Sequence, residues 1–276
     1  MMKIGVRAHD LGRQSEVALP RAVRAAGFES VQLALTKAID GVDSFADVTP
    51  GLLDRVRDSF ADAGVEISIL GCYIEPSLPN REERLRQVGN FLLGLEHARD
   101  LGVSIAGTET TRLEPTLENE ARRESLYQLL KDSVLRMAEK AEKTGVEIGI
   151  EPVADHTLNT PELARRLLDE VGSDKVKIIF DPVNMILADT AGRQERIYES
   201  FFSHLGQDIR IVHVKDIVFE HGEKIWRAIG RGMVNNSFVF DWLCTNKPDV
   251  PILREHARTD SSAADVAAMR ALARRD

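Results

Sequence analysis

Apolar positions along the chain follow two alternating rhythms. Short β-branched runs stand at 3–8 (KIGVRA), 29–35 (ESVQLAL), 65–70 (VEISIL), 103–107 (VSIAG), 146–150 (VEIGI), 176–180 (VKIIF), 209–214 (IRIVHV) and 250–254 (VPILR). Several are apolar on both faces, the pattern of strands covered on both sides. Between them the spacing turns helical. Leu85, Val88, Leu92 and Leu95 step by 3, 4 and 3 residues, and Leu126, Leu130, Val134, Met137 and Ala141 by 4, 4, 3 and 4. These predict helices over 81–101 and 119–144. Shorter ones are predicted at 16–26, 50–63, 160–171, 194–205, 237–246 and 261–273, with Arg274-Arg275 as a solvated helix end. Thr49-Pro50 and Thr160-Pro161 carry the signature of an N-cap followed by proline at the first helical position.

Glycine punctuates the alternation. Gly27, Gly64, Gly102, Gly145, Gly172 and Gly206 each close a helical stretch just before a β-rich run, at intervals of 37, 38, 43, 27 and 34 residues. A helix commonly ends on a residue at positive φ, which glycine adopts without a Cβ penalty. Near-regular spacing over six cases points to a repeated strand-helix unit. Eight strands, each followed by a helix, imply a parallel sheet, and eight units in about 250 residues is the size of a closed (β/α)8 TIM barrel. An open doubly wound sheet is the alternative, but the first strand runs into Arg7-Ala8-His9-Asp10-Leu11-Gly12, without GxGxxG or Walker A glycines. With no linker or composition break, residues 1–276 read as a single domain.

Composition narrows the function classes. At 43% hydrophobic and 29% charged, the chain of 276 residues suits a globular protein with a sizeable core. Its net charge of −8, without a basic run, opposes binding to nucleic acid or an anionic membrane. Cys72 and Cys244 are too few for a disulfide framework and too far apart for CxxC. No apolar stretch approaches membrane-spanning length and no signal-peptide core precedes the first strand, so a cytoplasmic location is expected.

In a (β/α)8 barrel, chemistry sits at the carboxyl ends of the strands. That rule selects His9, Cys72 or Tyr73, Thr108 or Glu109, and then Glu151, Asp181, His213 and Glu255 on four consecutive strands. One such acid taken alone is more often a cap or loop residue, and His213 alone could be a core histidine. Three carboxylates and an imidazole converging in a dry mouth would be costly without a cation. The mostly oxygen donor set suits Mn²⁺, Mg²⁺ or Co²⁺ and admits Zn²⁺. His97 and His204 fall in helical patterns and read as surface residues.

The stretches IGIEPV (148–153), IIFDPVN (178–184), IVHVKD (211–216) and ILREH (252–256), with Gly230-Arg231-Gly232, resemble the sugar-phosphate isomerase/epimerase superfamily of xylose-isomerase-like TIM barrels. The resemblance implies that Glu151, Asp181, His213 and Glu255 ligate one divalent metal ion, Mn²⁺ foremost. In the ketose 3-epimerase branch it implies that the glutamates matching Glu151 and Glu255 also move the substrate proton. Asn184 stands where many members carry His. The loop after the fifth strand reads Pro152-Val153-Ala154-Asp155-His156 where those epimerases usually have a substrate-binding Glu. Phe219 stands where their strand-7 motif has Arg, with Arg227 further on. Lys215-Asp216 resembles the HxKD form of other members, inosose dehydratases among them. The DNA-repair endonuclease IV branch needs further His ligands, which this chain lacks at the matching places.

The expected reaction is proton transfer beside the carbonyl of a ketose, ketose phosphate or related polyol. The metal acts as Lewis acid, and Glu151 and Glu255 work as base and acid from different sides. His9, Glu109, His156, Asn184 and Lys215 are candidates for binding the substrate. The alternatives are a metal-dependent keto-polyol dehydratase, which loses a β-hydroxyl from the same intermediate, and a non-catalytic barrel that binds sugar or metal. The expected partner is a small sugar or polyol, and assembly into a homo-oligomer is compatible with the chain.

Overall fold

In the computed structural model, which describes residues 2–114 and 116–274, eight parallel strands close into a barrel. They are β1 (Ile4–Arg7), β2 (Ser30–Leu33), β3 (Glu66–Gly71), β4 (Ile105–Glu109), β5 (Glu147–Glu151), β6 (Val176–Phe180), β7 (Ile209–Val214) and, after a hairpin of β8 (Asp216–Glu220) and β9 (Glu223–Arg227), β10 (Ile252–Arg254). Neighbours pair in chain order and β10 closes onto β1, with Val6 beside Arg254. The helices are α1 (Ala18–Ala25), α2 (Leu35–Ala38), α3 (Pro50–Asp62), α4 (Arg81–Leu101), α5 (Leu117–Thr144), α6 (Pro161–Val171), α7 (Gln194–Leu205), α8 (Asn236–Asn246) and α9 (Ser262–Leu272). Every predicted strand and helix is present, with ends shifted by a few residues at most. Arg275 lies outside the described residues.

The caps follow the sequence. Thr49 and Thr160 accept the amides of Leu52 and Leu163 at the first turns of α3 and α6, each with proline at the helix start. Five of the six punctuating glycines have positive φ, but Gly206 does not, at −53°. Its reason is contact: a Cβ there would come within 2.7 Å of the Trp242 ring. That ring stacks on Phe202 at 4.1 Å, and Phe202 packs edge-on to Phe180. Burying a phenylalanine ring such as Phe180 against the barrel wall stabilises the fold by about 1.5–3 kcal/mol.

Strict strand-helix alternation is broken by the short extra helix α2 before α3 and by an insertion after β7. The chain inserts the β8–β9 hairpin between β7 and α8, turning at His221 and Gly222, both at positive φ (52° and 85°). Such a two-residue turn matches the twist of the flanking strands. Asp216 anchors the segment beyond it, accepting the amides of Gly230 (2.8 Å), Gly232 (2.9 Å) and Val234 (3.2 Å). A Cβ on Gly232 would lie 2.1 Å from Asp216 Oδ1, so the GxG and the aspartate of HVKD form one structural unit.

Inside the barrel, Ile69, Ile105, Ile179, Ile211 and Leu253 form a plug separate from the outer core between strands and helices. The plug makes room for itself with glycines. A Cβ on Gly107 would lie 2.5 Å from Ile69 and 2.7 Å from Ile179, and one on Gly149 2.9 Å from Ile179. Successive strand residues face opposite sides, so the residue two places beyond each plug position also points inward, one layer nearer the carboxyl-terminal mouth. From Ile179, Ile211 and Leu253 that count yields Asp181, His213 and Glu255, and from Gly5, Gly107 and Gly149, whose added Cβ atoms would meet plug side chains, it yields Arg7, Glu109 and Glu151.

Candidate metal centre

The four residues of strands β5, β6, β7 and β10 meet as the inward register requires. His213 Nδ1 lies 3.2 Å from Glu151 Oε2, 3.5 Å from Glu255 Oε1 and 3.8 Å from Asp181 Oδ2. Glu151, Asp181 and His213 each offer a ligand atom within 4.8 Å of the others, and all four residues are buried. Each carboxylate has its other oxygen engaged by the chain. Glu151 Oε1 accepts from Asn184 Nδ2 at 2.6 Å, and Asp181 Oδ1 from the amides of Val183 (2.9 Å) and Asn184 (3.0 Å). Glu255 Oε2 lies 2.7 Å from Lys215 Nζ and 3.3 Å from Arg7 Nη1. Glu151, Asp181 and His213 thereby come within metal-ligand reach of one another, and Glu255 Oε1 faces the same imidazole nitrogen.

These residues fit a divalent cation. Neither ring nitrogen of His213 has a hydrogen-bond partner, although the residue is 1% exposed, and Asp181 Oδ2 has none of good geometry either. Burial works against a charged His213, yet Glu255 and Glu151 outweigh it and push the imidazole up to about 9. Burial raises Asp181, against the pull of Lys215. Burial would raise Glu255 too, but Lys215, His213 and Arg7 hold it well below the usual carboxylate range. The surroundings thus favour positive charge among these carboxylates, and a hard or borderline divalent ion suits such O₃N donors.

Lys215 and Asn184 stand within this set. Lys215 Nζ lies 2.8 Å from Asp181 Oδ2 and donates to Asn184 Oδ1 at 3.2 Å, so Asn184 bridges Lys215 and Glu151. His9, Glu109 and His156 lie apart, lining a cavity of about 590 Å³ that Arg7, Lys37, Tyr73, Thr108 and Arg112 also border. Burial raises Glu109 to about 7, with Glu151 and Glu255 adding to the shift. Burial lowers His9 to about 4, helped by Arg7 and Lys37, and it also lowers His156. Cys72 points away from the mouth, beneath Gly94 of α4. His97 is half-buried and stacks on Phe45 at 5.8 Å, so the surface expectation for it does not hold. Arg227 is on the hairpin, paired with Glu220 at 2.8 Å.

Two supporting residues escape a strand-end reading. Arg7 is inward-facing one layer below His9, and its guanidinium joins Asp10 (2.7 Å) to Glu255. Arg254, 2% exposed, points outward from β10 to Asp265 of α9 at 2.9 Å. It also donates to the backbone carbonyls of Glu255 and Arg227. It therefore fixes the chain on either side of the site. The available signal was Gly5, whose missing side chain sets the register that turns Arg7 inward.

A closed (β/α)8 barrel with metal-competent side chains at its carboxyl-terminal mouth is the class that fold and geometry define. The chain belongs to the xylose isomerase-like TIM barrel family, whose model matches residues 20–273. No curated protein matches it in sequence. Among solved structures it is similar to a D-tagatose 3-epimerase-like protein (18% identity, 98% of this chain and 97% of that one, TM-score 0.78). It is also similar to the 3-keto-D-glucoside 4-epimerase YcjR from E. coli (17%, 98% and 100%, 0.77) and to the IOLI protein solved with a zinc atom (15%, 98% and 96%, 0.73). At these identities the likeness is one of fold.

Proposed function

We propose that the protein is a divalent-metal-dependent isomerase or epimerase that moves a proton beside the carbonyl of a ketose, ketose phosphate or related polyol. The observation that carries this is the set of three carboxylates around His213 Nδ1, each with one oxygen facing that nitrogen and the other held by the chain. Glu151, Asp181, His213 and Glu255 would hold the metal. A cation bound there supplies Lewis-acid polarisation of a carbonyl and a neighbouring hydroxyl, acidifying the hydrogen between them.

The chain's own residues do the rest. Glu151 and Glu255 reach the mouth from β5 and β10, on different flanks of His213, so that one removes the proton and the other returns one to the opposite face. Lys215 and Arg7 steady Glu255, and Asn184 steadies Glu151, limiting each to a narrow range of positions. His9, Glu109 and His156 contact the substrate from the cavity. Names of the similar structures, a 3-epimerase-like protein and a 4-epimerase, support the reaction class.

The test is a panel of ketoses, ketose phosphates and inososes in D₂O with Mn²⁺, followed by NMR. Deuterium incorporation at a carbon beside the carbonyl is expected. Glu151→Gln and Glu255→Gln should abolish turnover while retaining part of the metal. Full epimerisation by either metal-loaded variant would overturn the acid-base assignment. A product absorbing as an enone or dione would assign the dehydratase chemistry instead.

A further inference from the structure

The half of the mouth built by β1–β4 holds a charge pattern that the proton-transfer chemistry does not use. The cavity of about 590 Å³ lies within the range of ligand pockets and is bordered by Arg7 and Glu109, inward neighbours of Glu255 and Glu151. A substrate whose carbonyl end meets those carboxylates therefore extends its far end into this cavity. Three cations line it, Arg7, Lys37 and Arg112, against two carboxylates, Glu75 and Glu109, in a chain of net charge −8. Two of the cations are neutralised: Arg7 by Asp10 and Glu255, and Arg112 by Glu114 (3.2 Å) and Asp155 (3.4 Å).

Lys37 is not. It projects from α2, the short helix set between β2 and α3, with no carboxylate partner among the described residues. Its ammonium lies 4.0 Å from the centre of the Tyr73 ring, which is held in place by the Gln32 amide donating to the phenol at 2.7 Å. His9 stands edge-on to the same ring, its buried Nδ1 without a partner. A positioned ammonium beside an unsatisfied imidazole, both lining a polyol-sized cavity, recognises negative charge.

Resting on the function proposed above, we infer that the substrate carries an anionic group, phosphate or carboxylate, at the end remote from its reacting carbonyl, and that Lys37 with His9 and Tyr73 forms the subsite that binds it. The test is titration calorimetry of the Mg²⁺-loaded protein with fructose, fructose 6-phosphate and fructuronate. At least one anionic sugar should bind ten- to a hundredfold more tightly than fructose, and whichever does identifies the group. Lys37→Met should erase that preference, Lys37→Arg keep it, and Lys37→Glu reverse it. Lys37 is exposed, so these variants should melt as the parent does. Equal affinity for neutral and anionic sugars, or an unchanged preference in Lys37→Met, would overturn the subsite. Binding preference is read without turnover. Lys37-dependent preference with no deuterium exchange would overturn the proton-transfer chemistry and leave the subsite standing.

Discussion

The two halves of the barrel mouth are built on different principles. On the β5–β10 side the charged groups of the site are buried and packed against one another: Lys215 lies between Asp181 and Glu255, Asn184 between Lys215 and Glu151, and Arg254 on Asp265. On the β1–β4 side the polar groups border open space, burial lowers His9 to about 4, and a lysine rests on an aromatic face. A reaction centre must hold its groups in fixed places, and a substrate pocket must leave some of them unsatisfied until the ligand arrives. The contrast divides the labour along the barrel's diameter.

The largest expected effect tests that division directly. Glu255→Gln should lower turnover by about a thousandfold or more, within the range of a lost acid-base group. Tyr73→Phe, across the mouth, should lower it no more than about tenfold. Comparable losses at both positions would break the comparison. Next is stability. Arg254→Met leaves Asp265 buried and uncompensated and should cost about 3–5 kcal/mol in urea unfolding. Arg254→Met combined with Asp265→Leu should lose much less, because no charge is then stranded.

Metal addition sharpens the comparison from the other side. With Mg²⁺ at a hundred times its Kd, unfolding should become harder by about 2.7 kcal/mol. His213→Ala or Asp181→Asn should remove most of that gain, whereas Lys37→Met should leave it intact. The smallest effect is again at Tyr73. Its phenol takes one partly buried hydrogen bond from Gln32, so Tyr73→Phe should cost about 1 kcal/mol in the same unfolding measurement.

The barrel was legible because each of its eight units repeats a strong period change from strand to helix, with a cap or glycine at the boundary. The β8–β9 hairpin was not, although Glu220-His221-Gly222-Glu223 between alternating apolar residues carries a turn signal. Counting one strand per unit leaves no place for a second. The four strand-end residues around His213 could be chosen because their type and position coincide. Arg7, Arg254 and Lys37 could not. Arg7 and Arg254 sit inside strands, where only the register separates the inward Arg7 from the outward Arg254. Lys37 owes its place to a four-residue helix too short to show periodicity. Gly206 shows the converse: the residue type was right for a helix end, but contact with Trp242 is what requires it.

The glycine-isoleucine plug beneath the mouth has a consequence for how this protein can vary. Ile179 fills the space that side chains at positions 107 and 149 would take, and Asp181 follows Ile179 by two residues on the same inward row. Any side chain added at Gly107 or Gly149 must push on Ile179, and through β6 that push arrives at Asp181. Positions with no functional group of their own are thus mechanically geared to the ligand geometry above them. In a saturation library selected for activity, these two glycines should be depleted of substitutions as severely as the acids they support. Exposed Leu117, 93% accessible on the outer wall, should accept nearly any polar residue.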